Sequence, residues 1–124
     1  MPDELRLAFL GFGNVGRALA RLLDSKRATL LSEYDLRARI VGIATGRHGA
    51  IVRPEGIDVL RAVETVEADR PLTGLGTPVA TDGDAFLRSL AADLLLESIP
   101  VNYQTGQPAL GSLETALKRG MHVI

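Results

Sequence analysis

Gly11-Phe12-Gly13-Asn14-Val15-Gly16 places three glycines at the spacing G-x-G-x-x-G. Each has a mechanical task in holding a dinucleotide: the first allows a tight strand-to-helix turn, the second lets a pyrophosphate reach backbone amides, and the third lets helix and strand pack closely. The helix that follows would offer its free N–H groups and the positive end of its dipole to the phosphates. The spacing alone discriminates little, because with 13 Gly in 124 residues it arises by chance in roughly one such chain in seven. Its setting decides.

Two more groups could carry chemistry. An NAD-specific site usually has an acid at the end of the second strand for the ribose hydroxyls, whereas an NADP site tolerates a phosphate there and often supplies an arginine. Ala44-Thr45-Gly46-Arg47 holds no acid. Arg47 is therefore expected to bind the 2′-phosphate, with Thr45 as a ribose or phosphate hydrogen bonder; the competing reading of Arg47 is a solvated loop residue. Glu97-Ser98-Ile99-Pro100-Val101-Asn102 lies at the carboxyl end of a later apolar run, the end of a strand where open α/β sheets bind ligands. Ser98 is expected there at the nicotinamide end of the cofactor, or else at the start of an ordinary loop. Glu97 reads rather as a buried, hydrogen-bonded carboxylate and Asn102 as a loop residue. His48 and His122 stand without metal-ligand spacing, so no metal site is expected.

The elements that must position these residues follow from hydrophobic pattern. Leu5–Leu10 is a short apolar run ending at Gly11, as in a strand buried on both faces. From Asn14, Val15, Ala18, Leu19, Leu22 and Leu23 repeat at the spacing of one helix face, with Arg17, Arg21, Asp24 and Lys26 largely elsewhere. Arg39–Thr45 reads as a second strand and Gly46–Gly49 as a loop. Between Gly56 and Asp69, Ile57, Leu60, Val63 and Val66 suggest a helix, followed by a Gly- and Pro-rich loop. A regular third strand is hard to find; Val79–Thr81 is the short candidate, after which Asp82 would cap a helix burying Ala85, Phe86 and Leu90. Ala92–Ser98 is the next strand. Ala109, Leu110, Leu113, Ala116 and Leu117 form a helix stripe with Pro108 near its start and Gly120 at its end, and His122–Ile124 starts a strand cut by the end of the chain. The expected fold is α/β and Rossmann-like: a doubly wound, mostly parallel sheet truncated at its last strand, forming one dinucleotide-binding domain over residues 1–124 with no substrate domain.

Composition excludes several classes. Fourteen Lys plus Arg against fifteen Asp plus Glu leave a net charge of −1, which gives no general field for nucleic acid or an anionic membrane. Aromatic residues are 4% with no Trp, too few for a base-stacking platform. The absence of Cys removes disulfides, thiolate metal sites and a cysteine nucleophile. No apolar run reaches the roughly 18 residues needed to span a bilayer, and Met1-Pro2-Asp3-Glu4 is acidic where a secretory signal would be basic. A cytoplasmic location is expected.

Three stretches together resemble homoserine dehydrogenase. They are Leu10–Leu19, Val41–Val52, and Glu97 through Pro108 leading to Ala116-Leu117 and Gly120–Ile124. The third is the most specific, with its strand, an Asn-x-x-Thr-Gly-x-Pro loop and an Ala-Leu-x-x-Gly-x-His-Val passage from helix to strand. The resemblance implies interconversion of L-homoserine and L-aspartate 4-semialdehyde with NAD(P), in the aspartate route to threonine, methionine and isoleucine. It carries cofactor ligands onto Gly11, Phe12, Gly13, Asn14, Val15 and Gly16, onto Thr45 and Arg47, and onto Ser98, where many relatives have Thr. No catalytic residue carries over, because the family's lysine and substrate-domain residues lie beyond a segment like this one. The cofactor implied is NADP, with NAD possible; the small-molecule substrate and a homo-oligomeric state belong to the full-length parent, and the fragment alone is expected to be inactive. The alternative is a regulatory module that senses a dinucleotide without chemistry. Such modules normally keep an acid after the second strand, which this sequence lacks.

Overall fold

The computed structural model describes residues 3–98 and 109–124. Strands β1 (Asp3–Leu10), β2 (Leu36–Ala44), β3 (Ala50–Val52), β4 (Thr77–Val79), β5 (Leu94–Glu97) and β6 (His122–Val123) form one sheet in the order β4-β3-β2-β1-β5-β6. β1 lies parallel to both β2 and β5, and β5 to β6. Helices α1 (Asn14–Ser25), α2 (Arg27–Tyr34), α3 (Val59–Glu67), α4 (Gly83–Arg88) and α5 (Ala109–Lys118) connect them.

β1 is central, and its second half shows why an unbroken apolar run suits it. Leu7 and Phe9 face one apolar cluster with Ala20, Val63 and Val66, whereas Ala8 and Leu10 face another with Phe86, Leu87 and Ala116. Helices α1 and α3 therefore cover one side of the sheet and α4 and α5 the other, which is the doubly wound arrangement. Burying a side chain such as Phe9 or Leu7 contributes about 1.5–3 kcal/mol, and both are essentially inaccessible. β2 contains one irregularity: Leu7 pairs with Ile40 but Ala8 with Gly42, so Val41 is an extra residue. This bulge turns Gly42 toward α4, where a Cβ would stand 3.0 Å from the Phe86 ring. The start of β5 is fixed to β1 by Asp93, whose carboxylate accepts from the Arg6 backbone N–H at 2.8 Å and from its guanidinium at 3.0 and 3.2 Å. Those donations hold the Asp93 carboxyl below its ordinary value.

Several expectations need correction. β2 starts at Leu36 rather than Arg39, and residues 27–34, unassigned from pattern, form α2, which buries no residue fully. Without an inward stripe, no periodicity marks it. The missing regular third strand is a pair of antiparallel ones: β3 runs back along β2, and β4 (Thr77–Val79, not Val79–Thr81) pairs with β3. Three residues are too few to show alternation. Asp82 does cap α4, accepting from the Ala85 N–H at 3.1 Å; Phe86 is buried as expected and Leu90 is buried just past the helix end, while Leu87 rather than Ala85 is the second residue the helix itself buries. On α1 the expected apolar face divides. Gly16, Leu19, Ala20 and Leu23 point inward, while Val15, Ala18 and Leu22 are exposed. The Asn-x-x-Thr-Gly-x-Pro loop, Asn102, Pro108 and the side chains of Leu110 and Leu113 lie outside the described residues. No helix among the described residues is long and apolar enough to cross a membrane.

Candidate functional site

The chain leaves β1 toward β2 on one side and returns to β5 on the other, so the strand order reverses between β1 and β5. The carboxyl ends of these strands frame a crevice at that switch point. The three glycines sit at its edge. Gly11 adopts φ +99°, a left-handed conformation open mainly to glycine, and its N–H donates to the Ala44 carbonyl at 2.9 Å. Ser98 approaches from the other side, donating its N–H to the Leu10 carbonyl at 2.9 Å. A Cβ on Gly11 would lie 2.8 Å from Ser98 Oγ and 3.0 Å from its carbonyl carbon. Gly16 packs α1 onto the turn, for a Cβ there would meet the Gly11 carbonyl at 3.1 Å and the Phe12 ring at 3.5 Å. Gly13 differs from both: nothing stands within 4 Å of where its Cβ would be.

Gly13 is also the N-cap of α1, with no side chain capping the helix and no acid in its first turn. The first bond back into the turn is Arg17 N–H to the Gly13 carbonyl, which leaves the amides at the head of the helix without intrahelical partners. Open space and uncompensated donors thus coincide, and together they fit an anionic group such as a pyrophosphate. Arg17 braces the turn: its guanidinium donates to the Phe12 carbonyl and to Asn14 Oδ1, each at 2.8 Å. Its Nε lies 3.4 Å from Glu67 on α3, a carboxyl held low first of all by Arg21. By pattern alone Arg17 is one of the charges off the apolar face of α1. Its place three residues after Asn14, where helical side chains meet, was the available signal. Beside the turn, Phe9, Val15, Gly16, Leu19, Leu96, Glu97, Ser98 and Ile124 line an apolar cavity of about 150 Å³.

Thr45 and Arg47 occupy the turn after β2. The Thr45 hydroxyl donates to the Gly49 carbonyl and accepts the His48 N–H, both at 2.7 Å, so its proton is committed to shaping the turn. Arg47 projects outward, its side chain 80% exposed, and its Nη2 stands 3.8 Å from Asp69. His48 Nε2 donates to the same Asp69 oxygen at 2.8 Å. Asp69 had no sequence signal, since 21 residues separate it from His48. The described structure therefore gathers Gly11 through Gly16 and Ser98 at the switch point and sets Thr45 and Arg47 along the adjoining strand end.

No family model matches the chain. It is 30% identical over 122 residues to the NAD(+)-dependent homoserine dehydrogenase of Pseudomonas canavaninivorans, covering 98% of this chain and 35% of that protein. It is 27% identical over 121 residues to the homoserine dehydrogenase of Methanocaldococcus jannaschii, covering 95% of this chain and 35% of that protein. The chain thus spans about a third of the length of the curated relatives it matches. The fold matches the crystal structure of Staphylococcus aureus homoserine dehydrogenase at pH 8.5 with a TM-score of 0.67 and 20% identity, over 99% of this chain and 25% of that one. A protein from Archaeoglobus fulgidus described as a homoserine dehydrogenase matches with a TM-score of 0.69 and 24% identity, over 96% of this chain and 33% of that one. The resemblance to homoserine dehydrogenase and the Rossmann-like fold are both borne out.

Proposed function

We propose that residues 1–124 are the dinucleotide-binding domain of a homoserine dehydrogenase, which in its full length interconverts L-homoserine and L-aspartate 4-semialdehyde in amino-acid biosynthesis. One observation carries the reading: the middle glycine of the turn faces open space exactly where an uncapped helix presents its amides, at the switch point of the sheet. The bound nicotinamide would accept or give the hydride. This chain's own residues hold and orient it. The turn from Gly11 to Gly16, with Phe12, Asn14 and Val15 between the glycines, receives the pyrophosphate, Arg17 keeps the turn rigid, and Ser98 borders the nicotinamide end beside the apolar cavity. Thr45 shapes the turn that carries Arg47, and Arg47 reads a 2′-phosphate, so NADP(H) is preferred and NAD(H) accepted. The substrate and any homo-oligomeric partner belong to the whole protein.

Truncating Arg47 to Ala is expected to weaken NADP binding by about one to two orders of magnitude at low salt, the worth of one charge-assisted hydrogen bond. NAD binding should stay nearly unchanged, and the difference should shrink as salt rises. Titration of both cofactors into the wild type and the variant checks this, and an equal loss with both would mean that Arg47 supports the loop instead. The same preparation should bind cofactor yet show no detectable oxidation of homoserine, because general acid–base help and substrate positioning are each worth several orders of magnitude. Turnover by this chain alone would overturn the assignment of chemistry to the rest of the protein.

A further inference from the structure

The end of α3 breaks two local rules at one residue. The Asp69 N–H donates to the Val66 carbonyl and the Arg70 N–H to the Thr65 carbonyl, the bonding of a helix terminus whose left-handed position is normally glycine. Here that position, at φ +56°, is aspartate. A carboxylate there also sits at the negative end of the helix dipole. The end of α2 carries the same residue type in the same conformation, Asp35 at φ +52°, so what distinguishes Asp69 is its partners. The turn after β2 answers the charge: His48, whose carbonyl accepts the Leu72 N–H at 2.9 Å, lays its ring against Asp69, and Arg47 lies alongside. The His48 hydrogen bond, and next the Arg47 charge, hold the Asp69 carboxyl below its ordinary value, so it is ionised at neutral pH.

We propose that Asp69 is the specificity-determining acid of the cofactor site, supplied from the end of α3 in place of the acid that β2 lacks. This rests on the reading of Arg47 as the 2′-phosphate ligand. The Asp69 carboxylate occupies part of the Arg47 charge and opposes a second anion beside it, which limits the gain from a 2′-phosphate. It is also an exposed acceptor next to Arg47, suited to the ribose hydroxyls of a cofactor without that phosphate. Asp69 therefore narrows the preference for NADP and keeps NAD usable.

The test compares wild type, Asp69→Asn and Asp69→Gly by titration with NADP and NAD at low and high salt. Asparagine tolerates the left-handed conformation and glycine prefers it, so both variants should fold, which circular dichroism verifies. The expected result is NADP binding tighter by about three- to tenfold and NAD binding weaker by a few fold, a shift of about tenfold or more in their ratio that diminishes with salt. In Arg47→Ala the Asp69→Asn gain for NADP should fall by more than half, since much of it is a released guanidinium. An unchanged ratio in both folded variants, with Arg47→Ala still selective against NADP, would overturn the role of Asp69 alone. Failure of wild type to bind either cofactor, or of Arg47→Ala to discriminate between them, would overturn this role together with the reading of Arg47.

Discussion

Replacing Gly13 with Val should abolish dinucleotide binding, a loss of about a hundredfold or more, while the fold stays close to intact. The Cβ and its methyls would project into the open space beside the helix amides, which is where a pyrophosphate must come close enough for charge-assisted hydrogen bonds. Each such bond is worth about 1.5–3 kcal/mol, so blocking two accounts for the hundredfold. The backbone of Gly13 is extended with a negative φ, at φ −79° and ψ −154°, and no neighbour stands within 4 Å of the new Cβ. Only the cap preference opposes the change, at about 1 kcal/mol. Calorimetric titration paired with a denaturation curve tests both halves. A folded variant that binds NADP or NAD as wild type does would show that the turn serves packing alone.

Gly11→Val should do the reverse and cost stability before it costs anything else. At φ +99° a branched side chain is strained by about 1–3 kcal/mol. The Cβ would also press to within 3.0 Å of the Ser98 backbone, and forcing that contact apart adds about 1–3 kcal/mol. Together these reach about 2–6 kcal/mol, a large share of the roughly 5–15 kcal/mol that holds an ordinary domain together. The denaturation midpoint should fall steeply, with Gly11→Ala affected less. An unchanged midpoint would mean that the turn can adopt another geometry and that Ser98 can yield. The two glycines are two residues apart in one motif, yet one faces open space and the other packs against Ser98.

The pair of variants also separates this site from a merely structural glycine turn. In a turn built for packing, all three glycines would be close to neighbours. Gly11 and Gly16 are, and Gly13 is not. The bracing by Arg17, which ties the Phe12 carbonyl to the Asn14 side chain, leaves the open side of the turn uncovered.

The sequence by itself determined the central strand, the glycine turn and the helix after it, because these depend on local rules: an apolar run, φ freedom at Gly11 and an amphipathic period beginning at Asn14. It also determined that no acid follows β2, and it carried the resemblance to homoserine dehydrogenase along most of the chain. It failed wherever an element is too short or too exposed to leave a period, as with β3, β4 and α2, and it turned the Val15, Ala18 and Leu22 side of α1 the wrong way. A hydrophobic stripe says which residues are apolar, and only packing says which of them are covered. A carboxylate does stand beside the turn after β2, but it comes from a distant part of the chain. Asp69 reaches Arg47 and His48 because α3 ends beside the turn after β2, a meeting set by how the helix packs on the sheet. Charge interactions act through space within a few ångströms regardless of chain separation, so only the tertiary structure could decide that a carboxylate stands next to Arg47.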